Sequence, residues 1–381
     1  MKAPLAEIAR EWGRIGVTGF GGPPAHIALL RRLVVERKGW MDAHAFEDAN
    51  AACSLLPGPS STQLSIFCAH RVGGWSGAIV GGLGFVAPAV LMVLALSLVF
   101  LSQAPPDWVR GAGAGAGAAV AAVAVRAGLD LIGPSRMRAR AERVPVARWG
   151  AYALAGGAAA ATVGPYLVLV LIACGLAEVL LRRWRAVAAA LDPAAALLLA
   201  AAGTGGLGSL VWTALKVGAL SFGGGFVIVP LMQDDAVHVY HWMTSAEFLN
   251  AVALGQVTPG PVVATIAAVG YGAAGIGGGL LAAFVAFLPS FSFILIGGER
   301  FERLRADDGA RAFLGGAGPA AIGAILGSAI PLAGALTETW QIAVLAAAAV
   351  ALLALRRGVV PTLLGAGAIG VAVGLGGGPL P

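Results

Sequence analysis

Two Pro-Gly-Pro triplets are set into apolar sequence, and polar donors surround each of them. Pro57-Gly58-Pro59 is followed at once by Ser60, Ser61, Thr62 and Gln63; Pro259-Gly260-Pro261 is flanked by Gln256, Thr258 and Thr265. A helix restarting after such a triplet presents unpaired N–H groups and the positive end of its dipole, roughly half an elementary charge. Hydroxyls and amides just past the break add donors, and glycine lets backbone approach a ligand closely. That set suits a small anion with several equivalent oxygens. A second kind of interruption, Phe20-Gly21-Gly22 and Phe222-Gly223-Gly224, accompanies the first. The glycines, prolines and polar residues of these four breaks are the candidate substrate-binding positions. A single Gly-Pro break is as readily a kink; four, paired and flanked by hydroxyls, point to a site.

Charged side chains in apolar sequence are functional suspects by default. Arg71 follows the Ser/Thr-bearing half-helix and is placed either to clamp a dianion or to anchor that helix at an interface. Arg126 lies mid-segment with Asp130 as an alternative partner, and Lys216 shortly precedes the second Phe-Gly-Gly. Glu47 and Asp48 begin the first broken helix, with Glu247 and Asn250 near the second. They are candidates for proton coupling, although acids at a helix start also simply suit the dipole. His26 and His70 are further proton-carrier candidates. No cofactor loop, metal-ligand spacing or redox thiol pair is evident, which argues against an enzyme, and no Gly-Lys-Thr/Ser loop suggests ATP use. Cys53, Cys68 and Cys174 lie in apolar sequence and read as packing residues.

The elements that must hold these residues are membrane helices. Of 381 residues 58% are hydrophobic and 12% charged, against about 25% charged in soluble domains. Trp75–Leu101, Val109–Ile132, Tyr166–Leu181, Ile276–Gly297, Ala312–Leu332 and Gln341–Leu355 are apolar runs; a crossing takes roughly 20 helical residues. The alternation of a β-barrel is absent. About nine to thirteen helical segments are expected, all-α and polytopic. Met1–Arg14 has no apolar core of signal length and reads as a retained amphipathic segment. The net charge of +6 comes from arginines in short loops and is not a nucleic-acid signature.

A repeat orders the chain. Phe20-Gly21-Gly22 recurs as Phe222-Gly223-Gly224, an offset of 202 residues; the same offset relates Trp40-Met41 to Trp242-Met243 and the two Pro-Gly-Pro triplets. It is expected to run without a gap from Gly16 to Phe85, pairing Gly77 with Gly279 and Phe85 with Phe287. Equivalent loops carry opposite charge. Arg31–Asp42 has four basic and two acidic residues, whereas Gln233–Thr244 has two acidic and no Lys or Arg. Arg136–Arg148 has five Arg and one Glu, whereas Thr337–Trp340 has one Glu and no base. By the positive-inside rule the halves, 1–185 and 186–381, then face opposite sides of the membrane, a plan that places transport sites near the midplane. Arg182–Arg185, Arg356-Arg357 and Glu299–Arg311 fall on the cytoplasmic side in the same scheme, with Phe46–His70 entering and returning on one side. The Pro57–Gln63 and Pro259–Thr265 breaks are expected to converge.

Phe20-Gly21-Gly22-Pro23, Trp40-Met41 and Leu56-Pro57-Gly58-Pro59-Ser60-Ser61-Thr62-Gln63 resemble the chromate transporter family. So do Phe222-Gly223-Gly224-Gly225, Pro230-Leu231-Met232, Gly255-Gln256-Val257-Thr258-Pro259-Gly260-Pro261 and Phe287-Leu288-Pro289-Ser290-Phe291. The resemblance covers nearly the whole chain in the family's two-domain long form. It implies export of chromate across a bacterial inner membrane, with protons proposed as coupling ions, and chromate resistance. Cys53-Ser54 stands where the family pattern has Cys-Gln, and Ser60-Ser61 where Asn-Ala is common. Sulfate or another oxyanion is the nearest alternative substrate, and a passive anion channel the alternative mechanism. The lipid bilayer is the expected surrounding, nucleic acid is not a partner, and association into a homo-oligomer is left open.

Overall fold

Ile8, Trp12 and Ile15 recur at helical spacing and are buried, while Arg10 and Arg14 face outward. Together they make α1 (Leu5–Thr18) an amphipathic helix that ends at Gly19. The computed structural model describes residues 3–54, 56, 58–102, 104–142, 144–162, 166–182, 206–221, 226–297 and 307–381. The expected boundary at 185/186, Arg183 and Arg185, Phe222–Gly225, and most of Glu299–Arg311 lie outside the described residues.

The first half continues with α2 (Gly22–Arg31), which runs into a π-turn at Arg32–Arg37, and α3 (Ala43–Cys53). Then come α4 (Ser60–Phe100), α5 (Asp107–Ala118), α6 (Val120–Ala141), α7 (Val146–Thr162) and α8 (Leu167–Arg182). The second half comprises α9 (Leu207–Leu220), α10 (Ile228–Gln233) with a π-turn at Asp234–Val239, and α11 (Ser245–Val257). A 3₁₀ turn (Val262–Thr265) leads into α12 (Ile266–Gly297), followed by α13 (Asp308–Gly334), α14 (Thr339–Ala349) and α15 (Val359–Leu375). The described pieces outnumber the expected segments because short elements such as α2, α3 and α10 stand beside the long ones; α5 and α6 meet at Ala119 within one apolar stretch. Among the described residues, four helical stretches are long and apolar enough to cross a membrane: Ser60–Phe100, Asp107–Ala141, Val262–Gly297 and Asp308–Gly334.

Local structure recurs at the 202-residue offset. Both π-turns close alike, Lys38 N–H donating to Leu33 O at 3.0 Å and Tyr240 N–H to Asp235 O at 2.9 Å. The next helix is capped in each half, by the Asp42 carboxylate on His44 N–H and by Thr244 in a box with Glu247. Glu247 thereby serves the helix end.

Beyond the breaks the register shifts. Residues eight apart on a straight helix are separated by about 12 Å. Yet a Cβ at Gly77 would stand 2.6 Å from Ala69 O, and one at Gly270 would stand 2.5 Å from Gly278 O. α4 and α12 are therefore tight hairpins, folding back at Gly74 (φ 67°) and Gly275 (φ 62°). These turns are 201 residues apart, which corrects the ungapped pairing of Gly77 with Gly279 and Phe85 with Phe287. The reason is helical rise. The first arm is α-helical from Ser60, whereas the second opens with four residues of 3₁₀ helix. At about 2.0 Å per 3₁₀ residue and 1.5 Å per α residue, both arms span about 21 Å with one residue fewer in the second.

The long helices pack at backbone distance. α5 lies on α15, and α13 lies on α7, α8 and α6. A Cβ at Gly111 would overlap Gly370 O, so small residues serve close crossing, as they commonly do in membranes.

Candidate functional site

The two breaks are each held by the opposite half. Gly260 N–H donates to Gly19 O at 3.0 Å, where α1 of the first half ends. Gly260 has φ +98°, and a Cβ there would meet the Ala89 Cβ at 2.7 Å. Gly58 has φ +114°; its Cβ would stand 3.2 Å from Gly218 O and 3.4 Å from Ser290 Oγ, both second-half atoms. Positive φ and lack of space make glycine necessary at both points.

Gly19 O has a second partner. His26 Nε2 lies 2.9 Å from it, and His26 Nδ1 lies 3.3 Å from Ser61 Oγ. A carbonyl only accepts, so the neutral ring carries its proton on Nε2, and Nδ1 accepts from the serine hydroxyl. Fully buried and edge-on to Phe85 at 5.0 Å, His26 ties the Gly21-Gly22 turn to the start of α4. Through Gly19 O the same knot reaches Gly260.

Both breaks open onto one cavity of about 780 Å³. Of the candidates, Gly21, Gly22, Ser60, Gln256, Thr258, Gly260 and Arg126 line it. Pro59 and Pro261 precede the two restarted helical segments, with Ser61, Thr62 and Gln63 buried just inside the first. Pro57, Gly223 and Gly224 lie outside the described residues. Thr62 Oγ1, Ser65 Oγ, Ser290 Oγ and Gln256 Nε2 are buried with no hydrogen-bond partner among the described residues. A buried polar atom left unmatched costs about 1–3 kcal/mol, which a polar ligand or water would relieve. The hydroxyls of the second break are turned inward. Thr258 Oγ1 donates to Leu254 O at 3.0 Å and Thr265 Oγ1 to Val262 O at 2.7 Å. Free side-chain donation there falls to Gln256.

Charge at the cavity wall is one-sided. Arg126, Arg138, Arg356 and Arg357 line it, with Asp130 the carboxylate among the described lining residues. Arg126 donates to Asp130 Oδ2 at 2.8 Å and to Leu352 O at 3.0 Å. Arg138 had no place among the sequence candidates, and Arg356 and Arg357 were read only as topology markers. The signal was present: Arg126, Asp130, Pro134 and Arg138 recur every four residues, one face of a helix.

The other candidates are elsewhere. Arg71 is exposed near the hairpin turn of α4. Glu47 pairs with Arg31 at 3.2 Å and Asp48 with His44 at 3.0 Å, on an exposed surface. Lys216 Nζ lies 2.6 Å from Oδ2 of the buried Asp235, which also accepts from Thr213 Oγ1 at 2.5 Å. The three cysteines are free and buried.

Comparison with known proteins places this architecture. The family model described as chromate transporter matches residues 6–179 and 208–371. A chromate transport protein of Cupriavidus metallidurans is 32% identical over 92% of this chain and 88% of its own length. One of Pseudomonas aeruginosa is 31% identical over 85% and 80%, and a probable chromate transport protein of Synechococcus elongatus is 28% identical over 86% and 84%. No solved structure matches the chain.

Proposed function

Because the chain belongs to the chromate transporter family, a family of transport proteins and not of enzymes, we propose that this multi-pass membrane protein exports chromate from the cytoplasm through the cavity at its two breaks. The observation that carries the reading is the shared cavity itself: helix restarts from both halves, the free Gln256 amide and four arginines bound one space. Chromate is a tetrahedral dianion. Backbone N–H groups at the two restarts, the Ser60 hydroxyl and Gln256 Nε2 offer donors from several directions, while Arg126 supplies charge without leaving Asp130.

The halves are read as inverted repeats in a bacterial inner membrane, with the reciprocal contacts of Gly58 and Gly260 across them in support. The cavity is bounded by Ser135 and Arg138, in the last turns of α6, and by Arg356–Gly358, at arginine-rich ends that are read as cytoplasmic. It is therefore read as loading from the cytoplasm. A cytoplasm-negative potential favours departure of a dianion by about 4.6 kcal/mol per 100 mV. That supports a gradient on the order of a thousandfold without a coupled ion. Proton coupling and chromate resistance belong to the same reading.

Everted vesicles carrying the protein, given chromate with and without a tenfold excess of sulfate and an imposed pH gradient, test it. Saturable chromate uptake, accelerated by an inside-positive potential, is expected. Sulfate uptake without chromate uptake overturns the substrate. Flux that never saturates overturns the carrier mechanism in favour of a channel.

A further inference from the structure

A second, smaller cavity of about 340 Å³ adjoins the first, and α6 and α13 line both. Along α6 the first cavity touches Val123, Arg126, Asp130 and Pro134; the second carries on to Ala139 and Glu142, at the helix end. Along α13 the order is reversed: Ile325 and Ala321 touch the first cavity and Arg311, in the first turn, touches the second. The two cavities thus lie in series along the α6–α13 seam, between the helix ends and the breaks. Ser54, Ser135 and Arg138 border both cavities and are the polar side chains of the neck between them.

Two neck groups are free to donate. Trp149 Nε1–H donates to Ser135 Oγ at 3.0 Å, so the serine oxygen is already an acceptor and its own proton remains available. Arg138 and Glu142 stand four residues apart, the spacing of a helical ion pair. Glu142 is instead drawn away, to Arg182 NH1 at 2.9 Å and Arg311 NH1 at 3.9 Å. Arg138 is left with no carboxylate within ion-pair distance among the described residues. Ser54 differs, its hydroxyl being committed to Asn50 O at 2.8 Å.

From this geometry we infer that the neck is a second anion station, where Arg138 and Ser135 hold a tetrahedral dianion before it passes to the breaks. The inference rests on the transport reading above and names a step within it. Arg138 fits a loading site because its fork of donors matches two oxygens of one oxyanion. The pull of Arg182 and Arg311 on Glu142 keeps that fork open. Trp149 acts as a positioning residue, through Ser135.

The test is chromate uptake into everted vesicles by the wild type and by Arg138→Gln, Arg138→Lys and Trp149→Phe, each normalised to folded protein. Loss of the loading contact should raise KM about tenfold in Arg138→Gln with the maximal rate within about twofold, since one charge-assisted contact is worth about that factor. Arg138→Lys, which keeps the charge and loses the fork, should recover only part of the affinity and stay weaker than the wild type. Trp149→Phe, which keeps the ring and loses the N–H, should raise KM about twofold to threefold. Unchanged KM in Arg138→Gln overturns the station while leaving the transport reading intact. So does a fall in maximal rate alone. Wild-type vesicles that move neither chromate nor sulfate overturn both.

Discussion

The two halves solve one mechanical problem with opposite charges. In the first, α1 is tied to the following π-turn by acids on the helix and bases on the turn: Glu11 with Arg37, and Glu7 with Lys38 at 2.5 Å. In the second, α9 supplies the base and the turn the acid, Lys216 with Asp235 at 2.6 Å. The backbone of the turn is the same in both. A helix-to-turn tie needs complementary charges and is indifferent to which side carries which. The loop's net sign is therefore left free to set topology. At the breaks the difference is of another kind. His26 and Ser61 pin the first; the residues 202 positions on are Ile228 and Val263, both buried and apolar. Backbone shape is shared and polar chemistry is concentrated on one side.

The sharpest way to break the first contrast is at Lys216. Its pair with Asp235 is nearly dry, with side chains 10% and 7% exposed. Lys216→Ala should destabilise the protein by about 3–5 kcal/mol, because Asp235 remains charged and buried. Lys216→Met with Asp235→Leu should cost much less than the single change. Lys38→Ala, at the partly exposed tie of the first half, should shift stability far less. Thermal unfolding in detergent ranks the three; equal losses at Lys38 and Lys216 would show that burial does not distinguish the ties.

Next comes the shared backbone. Gly58→Ala and Gly260→Ala each force a left-handed residue, at about 1–2 kcal/mol, and add the clashes with Gln63 and Ala89. Both should lower chromate uptake about a hundredfold, as misplacement by an ångström can. A tolerant Gly58 beside an intolerant Gly260 would break the equivalence of the two breaks.

How far such pairs were readable from sequence depends on what fixes them. The local recurrence at the offset, the interruptions at Gly21-Gly22 and at the two Pro-Gly-Pro triplets, and the apolar runs were legible, because Pro-Gly-Pro and Trp-Met in one register leave little choice of backbone; the Phe222–Gly225 interruption lies outside the described residues. The shift from 202 to 201 was not, since the exchange of an α-turn for a 3₁₀ turn leaves no mark in residue type. Arg126 could be singled out as a charge in apolar sequence. Arg138 shares the helix face of Arg126 by its four-residue spacing, but an arginine near a basic loop looks like a topology marker until Glu142 is seen turned away from it. Glu47 and Asp48 sit at a helix start where sequence cannot tell solvent from a pathway; their partners are exposed. Lys216 was noticed without Asp235, since a pair 19 residues apart forms only when helix and turn have met.

Sharpening the second contrast means making the first break resemble the second. His26→Ile with Ser61→Val replaces the knot by the apolar residues of the other half. Gly19 O keeps its bond from Gly260 N–H, so the fold should persist. The start of α4 would lose its polar tether, and chromate uptake should fall about fivefold, the worth of one neutral hydrogen bond. Ser61→Ala alone should be comparable, with Nδ1 left without a donor. Uptake unchanged in both variants would mean that the knot is packing and that the breaks align without it.

The smallest effect is expected from pH at the tie between Glu7 and Lys38. The hydrogen bond from Lys38, ahead of its charge and that of Arg10, holds the Glu7 carboxyl below its usual value of 4.5. A carboxylate whose folded pKa is depressed contributes stability that is fully present above the unfolded pKa and lost as pH falls through the folded one. Protection of α1 amides against hydrogen exchange, corrected for the intrinsic rate, should therefore begin to weaken as pH drops below about 4.5. In Glu7→Gln, which has no proton to take up there, the same helix should start less protected and show no further loss attributable to this pair. Parallel pH profiles for the two proteins would mean that the ion pair contributes nothing to holding α1 on its turn, and the charge-swapped symmetry of the ties would then rest on Glu11 and Arg37 alone.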